Sequence, residues 1–496
     1  MATPIEYARR ALEVLVHDRE ERLLRIDEYL RGEQDQPYMP ESADHEYKML
    51  AERSITNVMG FIVGTPAQAM YVDSFRKGRS SDDVAGQSAS TAAVQPEWDH
   101  WQKSRLDARQ AAVYRAALGF GHSFVLTEKI SSGVRSKGLS PLRTTALYED
   151  PANDDAPVVA IHVTQWPTGS GDTIRPGRAR MWDAKKEYAV TFKSTADLSK
   201  GVTCNAGKAH GADECPVTRF AAVIDLEGRT WGVVEPMIPL QNRINQTVFD
   251  LLIVQSFASF KVRTISGMAP PIKRKGLDAE GNETTDPEQI VEWVPVLDSN
   301  GNVVPEDINL SARRVFWAED EDTKFGTLDE TPLNGFIEAI ELAFRHIASL
   351  SQTPPHHLLG QIANLSAEAL VAAETALSRR VAEFRSAFGE SWERVFRIAA
   401  QLGAGDGADD YAGEVVWRDM EQRSLAQAGD ALGKLAESLG IPKRGLWARV
   451  PGVTATELGT WEAMYEEESP DLALARAATR AAPARPQFRQ AAETVA

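Results

Sequence analysis

The clearest hydrophobic pattern in the chain consists of two stretches in which apolar residues recur at steps of three and four. Residues 333–351 keep their polar positions on the opposite side, which predicts one amphipathic helix. Residues 366–403 predict a second helix of roughly 50 Å, at about 1.5 Å per residue. The apolar positions are Leu333, Phe336, Ile337, Ile340, Phe344 and Ile347, then Leu370, Ala373, Leu377, Val381, Phe384, Phe388, Trp392, Val395 and Ala399.

The segment between these helices, residues 353–364, contains adjacent prolines at Pro354 and Pro355. Proline lacks the backbone N–H and disfavours the helical conformation of the residue before it, so neither helix continues through this segment. Asn364 or Ser366 can cap the second helix. The pattern therefore predicts a loop that projects from two rigid helices.

The N-terminal part of the chain alternates helix and strand patterns. The helix over residues 5–30 ends at Gly32, and the helix over residues 47–63 is stopped by Gly64, Thr65 and Pro66. The further elements predicted here are a strand over residues 69–75, a helix over residues 98–118 and a strand over residues 123–127.

The middle of the chain changes character. Residues 143–234 carry short alternating segments separated by Gly, Pro and Asp, which predicts a β-rich region. A broadly apolar helix over residues 240–260 precedes an insertion of short strands, residues 261–330, with turn signals at 278–282 and 298–302. Residues 424–464 predict a small helical unit, and the Ala-, Arg- and Pro-rich last residues, 471–496, predict a tail that is disordered or helical only on a partner.

Composition bounds the class of protein. The 496 residues predict roughly two to four domains, with 43% hydrophobic and 25% charged residues typical of a folded, soluble chain. We find no apolar run of membrane-spanning length and no signal-peptide core, so we expect an intracellular protein. With only Cys204 and Cys215, reduced thiols are expected.

The net charge of -17 argues against an ordinary nucleic-acid binder. Tight binding to DNA requires an excess of Lys and Arg to displace counterions from the phosphates. Any contact of this chain with DNA should be weak or transient.

Two short strings carry a resemblance to a known family. Residues 57–66 read Asn-Val-Met-Gly-Phe-Ile-Val-Gly-Thr-Pro, and residues 364–370 read Asn-Leu-Ser-Ala-Glu-Ala-Leu, with Ala367 where the family usually has Gly. In the order of these strings and of its elements, most of the chain resembles the portal proteins of tailed double-stranded DNA bacteriophages, especially the long-tailed type. Ala367 is a mild departure, because Ala favours a helix more than Gly does.

The resemblance implies an α+β, portal-like fold with an α/β wing, two stem helices, a small α/β clip, a long channel helix and a helical crown. The implied regions are residues 1–235 for the wing, 236–262 for the first stem helix, 263–325 for the clip, 326–352 for the second stem helix, 353–364 for the tunnel loop, 365–403 for the long helix, 404–470 for the crown and 471–496 for a flexible tail.

The resemblance also implies a function. Such proteins form a ring of about twelve subunits at one capsid vertex, closed by heterologous contacts. DNA passes through the centre without sequence specificity. The implied partners are terminase, the major capsid and scaffolding proteins and a head-tail adaptor, without a membrane, a metal or a cofactor. The acidic charge then keeps phosphates from adhering to the tunnel.

Two sets of site residues follow from the resemblance. The first is the tunnel loop: Thr353, Pro354, Pro355, His356, His357, Leu358, Leu359, Gly360, Gln361 and Asn364. The second is a basic patch in the clip, read either as a docking or DNA-facing surface or as a solvated loop: Lys261, Arg263, Lys273, Arg274 and Lys275.

Rival interpretations remain open beside this one. His356 and His357 suggest a metal ligand or a general base, yet no acidic residue lies in the loop at ligand spacing. A metal site built from Cys204, His210, Asp213 and Cys215 matches no standard zinc spacing. We find no phosphate-binding, nucleophile-elbow, zinc-protease or dinucleotide motif, so we predict no enzyme and no packaging motor. A helical adaptor or scaffold protein without a DNA channel is the alternative.

Overall fold

The computed structural model describes residues 3–40, 45–78, 96–169, 175–258, 263–266, 272–299, 301–304, 324–327, 332–360, 367–418, 425–447, 449–453 and 455–468. These residues form α-helices and antiparallel β-sheets, so the predicted mixture of helix and sheet is confirmed. Within these ranges, no helix combines the length and the apolar character needed to cross a membrane.

In chain order the helices are α1 (Pro4–Asp18), α2 (Leu24–Arg31), α3 (His45–Ser54), α4 (Met59–Gln68), α5 (Pro96–Lys103), α6 (Leu106–Phe120), α7 (Ile238–Ala258), α8 (Asn334–Leu350), α9 (Pro355–Leu359), α10 (Ala367–Gln401), α11 (Leu425–Leu439), α12 (Lys443–Trp447) and α13 (Ala455–Glu468). The strands are β1 (Val72–Arg76), β2 (His122–Ile130), β3 (Gly133–Leu139), β4 (Thr144–Leu147), β5 (Val159–Gln165), β6 (Gly177–Trp182), β7 (Lys186–Phe192), β8 (Thr203–Cys204), β9 (Lys208–Ala209), β10 (Val217–Ala221), β11 (Arg263–Ser266), β12 (Arg274–Leu277), β13 (Glu283–Thr284), β14 (Glu292–Pro295), β15 (Lys324–Thr327) and β16 (Glu414–Trp417).

The N-terminal helices α1 and α2 are joined by a π turn, Arg19–Leu23, into one rod. Thr3 caps its start, because the Thr3 hydroxyl accepts the Glu6 N–H while the Glu6 carboxylate accepts the Thr3 N–H. The rod ends at Gly32, whose φ of 84° lies in the left-handed region that glycine tolerates. The predicted helix over residues 5–30 is confirmed, with the π turn added.

The predicted helix over residues 47–63 is wrong, because the structure breaks it into α3 and α4. The backbone groups freed by the break are satisfied from α7: Gln241 Nε2 donates to the Thr56 carbonyl at 2.7 Å, and Asn245 Oδ1 accepts the Thr56 N–H at 3.1 Å. The predicted stop is also wrong, since α4 continues through Pro66 to Gln68. Pro66 falls close to the end of the helix, where a missing N–H breaks little of the remaining ladder.

The predicted helix over residues 98–118 is likewise divided, into α5 and α6. Arg105 lies between them with φ of 55°, in the left-handed region. Across this break the Trp101 indole N–H donates to the Asp107 carboxylate at 2.6 Å. A contact between side chains therefore stabilises a kink that the hydrophobic pattern did not indicate.

The β-rich region over residues 143–234 is confirmed. Its largest sheet runs β4-β5-β6-β7-β8, with β9 also paired to β7, and all pairs are antiparallel. Because successive strand side chains point to opposite faces, Ile161 packs with Leu12 and Leu15 of α1, while Ala160 joins Phe124 of β2. A second sheet, ordered β10-β2-β3, includes the predicted strand over residues 123–127.

The insertion between α7 and α8 contains the short strands β11 to β15. Strand β11 pairs with β15, and β13, β12 and β14 form a separate small sheet. Both predicted turns are confirmed, since the Asp278 N–H donates to the Asn282 carbonyl at 3.0 Å and the Asp298 N–H to the Asn302 carbonyl at 2.8 Å.

Helix α10, with 35 residues, forms one wall of the main core. Phe384, Phe388 and Trp392 are at most 1% exposed, and each such burial contributes about 1.5–3 kcal/mol. The Trp392 indole N–H donates to the Tyr114 hydroxyl at 2.8 Å. The apolar face is confirmed from Leu377 onward; the side chains at 370 and 373 lie outside the described part. The pairing of β16 with β1 was not predicted.

Candidate functional site

The chain turns sharply where α8 ends. Gln352 takes φ of 51°, and the Thr353 N–H donates to the Ala348 carbonyl at 2.9 Å. The hydroxyls of Ser351 and Thr353 lie 3.0 Å apart, and both residues are 3% exposed. A left-handed conformation at a residue other than glycine costs roughly 1–2 kcal/mol, and these contacts offset that cost.

The two prolines then start a helix rather than an irregular loop. Pro354 is extended, with φ of -55° and ψ of 130°, and Pro355 occupies the first position of the one-turn helix α9. Gly360 ends α9 with φ of 66°, and Leu358 packs against the main core. The prediction of a loop that projects from two helices is therefore wrong over residues 353–360.

Arg380 of α10 ties this segment to the long helix. Its guanidinium donates to the Ser351 carbonyl and lies 5.4 Å from the centre of the Phe384 ring. Burial lowers the pKa of Arg380 below its ordinary value. Because Arg380 reaches the carbonyl at the end of α8, the turn cannot move without breaking a charge-assisted hydrogen bond.

His356 and His357 converge on one carboxylate oxygen. The Nε2 atom of each histidine lies 3.2 Å from Glu374 Oε1, and the two rings stand 4.4 Å apart at 73°. The exposed fractions of the side chains are 8% for His356, 31% for His357 and 36% for Glu374. The sequence of residues 353–364 contains no acidic residue. Helix α10 supplies one, Glu374, and its position next to the histidines depends on tertiary packing.

The structure brings most of the predicted tunnel-loop residues together. Residues 353–360 form the turn and α9, with Thr353 and Pro354 buried and the His356 side chain nearly so. Gln361, Asn364 and the second candidate cap, Ser366, lie outside the described residues. The assignment of these residues to a tunnel stays a prediction.

The positive charge of the predicted basic patch in the clip is partly offset by one acidic neighbour, Glu283. Lys275 Nζ forms an ion pair with the Glu283 carboxylate, with 40% of the Lys275 side chain and 66% of the Glu283 side chain exposed. Lys273 and Arg274 are exposed beside it, whereas Lys261 lies outside the described residues and only the backbone of Arg263, in β11, is described. Exposed ion pairs contribute little to stability, so the pair mainly reduces the local positive charge.

The residues proposed for an alternative metal site do not converge. Both cysteines are free thiols, and burial raises the pKa of Cys215 to about 12. The His210 ring bonds the backbone, with Nε2 3.1 Å from the Asp183 carbonyl and Nδ1 accepting the Ala212 N–H at 3.2 Å. Across the described ranges, the grouping of potential metal ligands that does form is His356, His357 and Glu374.

Comparison with known proteins gives a consistent family. A family model described as "Phage portal protein, SPP1 Gp6-like" matches residues 14–471. A portal protein of Mycobacterium phage D29 is 29% identical over 397 residues, which cover 75% of this chain and 72% of that protein. A portal protein of Mycobacterium phage L5 is 32% identical over 125 residues, 25% of this chain and 26% of the other.

Solved structures of a gene transfer agent are also similar to the chain. One, described as the virion of a native gene transfer agent particle, aligns with a TM-score of 0.39 and 12% identity, covering 86% of this chain and all of that chain. A second, the neck of an empty particle, aligns with a TM-score of 0.38 and 14% identity, covering 79% and 90%.

Proposed function

Since the chain belongs to the SPP1 Gp6-like family of phage portal proteins, we propose that copies of it form a ring at one capsid vertex and that DNA passes through the ring. Portal proteins are structural components of the phage particle, so the chain is not an enzyme, as its sequence predicted. The observation that carries the proposal is the span of the family match, because residues 14–471 include α7, α8, the insertion between them and α10.

Incomplete burial of α8 supports assembly of several copies. The buried residues of α8, Ala343, Ile347 and Ala348, all lie in its C-terminal half. In the N-terminal half Ile337 is 47% exposed, and Phe336 is only half-buried in a single chain. If a neighbouring subunit covered these two side chains, assembly would be stabilised by about 25 cal/mol for each Å² of apolar surface removed from water. Helices α7 and α8 are therefore the proposed contact elements around the axis.

The proposed regions follow the order of the elements. Helices α7 and α8 pack on each other and flank the insertion, as two stem helices flank a clip. In this proposal the regions are the wing (residues 1–235), the first stem helix (236–262), the clip (263–325), the second stem helix (326–352), the tunnel loop (353–364), the long helix (365–403), the crown (404–470) and a tail (471–496).

The charge of the chain suits a conduit. A ring of about twelve copies, each with a net charge of -17, would repel the phosphates of DNA at short range. Screening shortens that repulsion to about 8–10 Å at physiological salt, so it acts at the wall of the bore and leaves DNA free to move. DNA would pass during packaging and ejection without sequence-specific contacts.

The proposed partners follow from the same role. A motor must supply the work of packaging, and the chain carries no ATP-binding loop, so terminase would dock on the ring. Lys273 and Arg274 in the insertion offer exposed positive charge for such docking. The head-tail adaptor, the major capsid protein and the scaffolding protein would contact other surfaces of the ring.

The mass of the assembled protein tests this proposal. We would purify the chain, measure its mass by light scattering against 54.4 kDa, and image the large species. Rings with an open centre are the expected result. Assembly of a portal ring can require its partners, so the chain would also be expressed with its capsid and scaffolding proteins. A monomer or dimer under both conditions would contradict the proposal and favour the helical adaptor.

A further inference from the structure

One cluster in the molecule has metal-binding chemistry that the proposed conduit does not use. The Nε2 atoms of His356 and His357 each lie 3.2 Å from the same oxygen of Glu374. The three ligand atoms, one from each residue, all lie within 4.8 Å of one another. Within the described part of the chain, no other group of three His, Cys, Asp or Glu residues lies close enough together to share an ion.

The two nitrogen–oxygen separations are close to those around a tetrahedral transition-metal ion. Zinc bonds imidazole nitrogen and carboxylate oxygen at about 2.0–2.2 Å, which places neighbouring tetrahedral ligands about 3.3–3.5 Å apart. Both nitrogen–oxygen separations, 3.2 Å, are close to that distance. A set of two imidazoles and one carboxylate favours zinc, which binds nitrogen and oxygen ligands. Calcium and magnesium prefer oxygen ligands alone.

The ligands are held by structured elements on both sides. His356 and His357 lie in α9, which Pro355 starts and Gly360 ends, while Glu374 lies within the long helix α10. The edge of the Phe61 ring meets the His357 ring at 6.5 Å, and Leu358 packs against the main core beside it. Ligands fixed in advance lose little conformational entropy on binding, which favours affinity.

We propose that His356, His357 and Glu374 bind one divalent zinc-class ion and that this ion joins α9 to α10. Three protein ligands leave a fourth tetrahedral position for water. All three ligands belong to one chain, so binding does not require the ring. Only the consequence for DNA rests on the proposed function: the ion would hold the proposed tunnel loop in one position against the long helix.

Zinc titration into the metal-free full-length chain tests the proposal. The protein would be treated with EDTA, dialysed and titrated with zinc chloride by calorimetry, with cobalt(II) as a visible probe of tetrahedral geometry. We expect one tight site per chain. His356→Gln and Glu374→Gln should each weaken it by at least about tenfold, since even the loss of a residue that only orients a ligand costs 10–100-fold.

His346→Gln is the matched control, because His346 lies on α8 and bonds Arg243 at 3.1 Å instead of joining the cluster. It should bind zinc as the unmodified chain does. If the variants and the unmodified chain bind zinc equally, or only at millimolar concentration, the site holds an adventitious ion only and the proposal is wrong.

Hydrogen exchange of the unmodified chain gives a test without substitutions. Zinc should slow exchange of the backbone amides of residues 356–360 and leave that of residues 403–413 unchanged. Unchanged exchange over residues 356–360 at saturating zinc would overturn the proposal. Either result is independent of ring formation, so failure here leaves the proposed conduit standing.

Discussion

At the scale of single residues, Arg394 is the most completely buried charge described in α10, with 3% of the residue exposed. Its Nη1 donates to the Val217 carbonyl at 2.9 Å and the Thr218 hydroxyl at 3.2 Å. Its Nη2 donates to the Glu214 carboxylate at 2.9 Å and the Cys215 carbonyl at 3.0 Å. One side chain thus joins the long helix to β10 and to the segment before it.

Replacing this arginine should destabilise the fold strongly. Arg394→Met keeps most of the volume but leaves the partly exposed Glu214 carboxylate and the buried carbonyl oxygens of Val217 and Cys215 without their donor, and each buried acceptor left unpaired costs about 1–3 kcal/mol. The control is Arg397→Met, whose guanidinium lies over the exposed Tyr411 ring at 4.7 Å and which should cost about 1 kcal/mol. Urea unfolding of both variants measures the difference, and equal losses would contradict this role for Arg394.

Three histidines, two of them buried and His162 half-buried, make a second prediction, on pH. Burial lowers the pKa of His100, His122 and His162 to about 4, with the charges of Lys137 and others adding to the effect at His162. Their ordinary pKa is 6.5, so the unfolded chain binds protons first as the pH falls. Stability from these groups is therefore complete above about pH 6.5 and is lost progressively toward about pH 4.

The measurement is the urea midpoint across this pH range. His162→Gln should flatten part of the fall, because that side chain then no longer titrates. His45→Gln, at the exposed start of α3, is the control. A pH profile of His162→Gln that superimposes on that of the unmodified chain would count against the assignment.

At the scale of elements, α8 allows assembly to be separated from folding. Ile337 is 47% exposed in the single chain, whereas Ile347 on the same helix is fully buried. We expect Ile337→Asp to leave the thermal midpoint of the monomer nearly unchanged and to shift the ring toward monomers, because a charge buried at a subunit contact costs several kcal/mol.

The matched control for this prediction is Glu338→Gln, at the exposed neighbouring position. It should change neither quantity. Light scattering and differential scanning calorimetry measure the two effects. A ring that forms normally with Ile337→Asp would show that Ile337 does not face another subunit.

The hydrophobic pattern predicted those elements that are determined by residues close together in the sequence. The rod of α1 and α2, α8 and the buried face of α10 follow from apolar residues at steps of three and four. The break between α3 and α4 did not follow, because Gln241 and Asn245, distant in sequence, satisfy the opened backbone. The pairing of β16 with β1 is equally non-local.

The sequence also predicted only the local part of the candidate site. His356 and His357 stood out in the sequence, but the partner that gives them a chemistry, Glu374, lies on the next helix. The closeness of Glu374 to the histidines depends on how the chain packs α10 next to α9, and the hydrogen bond from Arg380 to the Ser351 carbonyl helps to fix that packing. No spacing rule within one segment contains that information.

At the scale of the whole molecule, the proposed tunnel loop allows ring assembly and the passage of DNA to be tested separately. The loop lies between α8 and α10, and the main core receives only Leu358 from α9 as a partly buried side chain. The rest of that core is built from other elements, among them α4, α6 and α10. Removing residues 356–361 should therefore leave the fold and the ring largely intact.

The same deletion should impair the passage or retention of DNA, because in the proposed ring these loops narrow the bore. Replacing residues 356–361 by an equal number of Gly and Ser residues is the control, since it keeps the connection between α8 and α10 while removing the side chains. Ring formation would be measured by light scattering and imaging, and packaged DNA by its protection from nuclease. Particles that carry the deletion and retain a normal amount of protected DNA would contradict the role of the loop, whereas loss of the ring would show that the loop is needed for assembly instead.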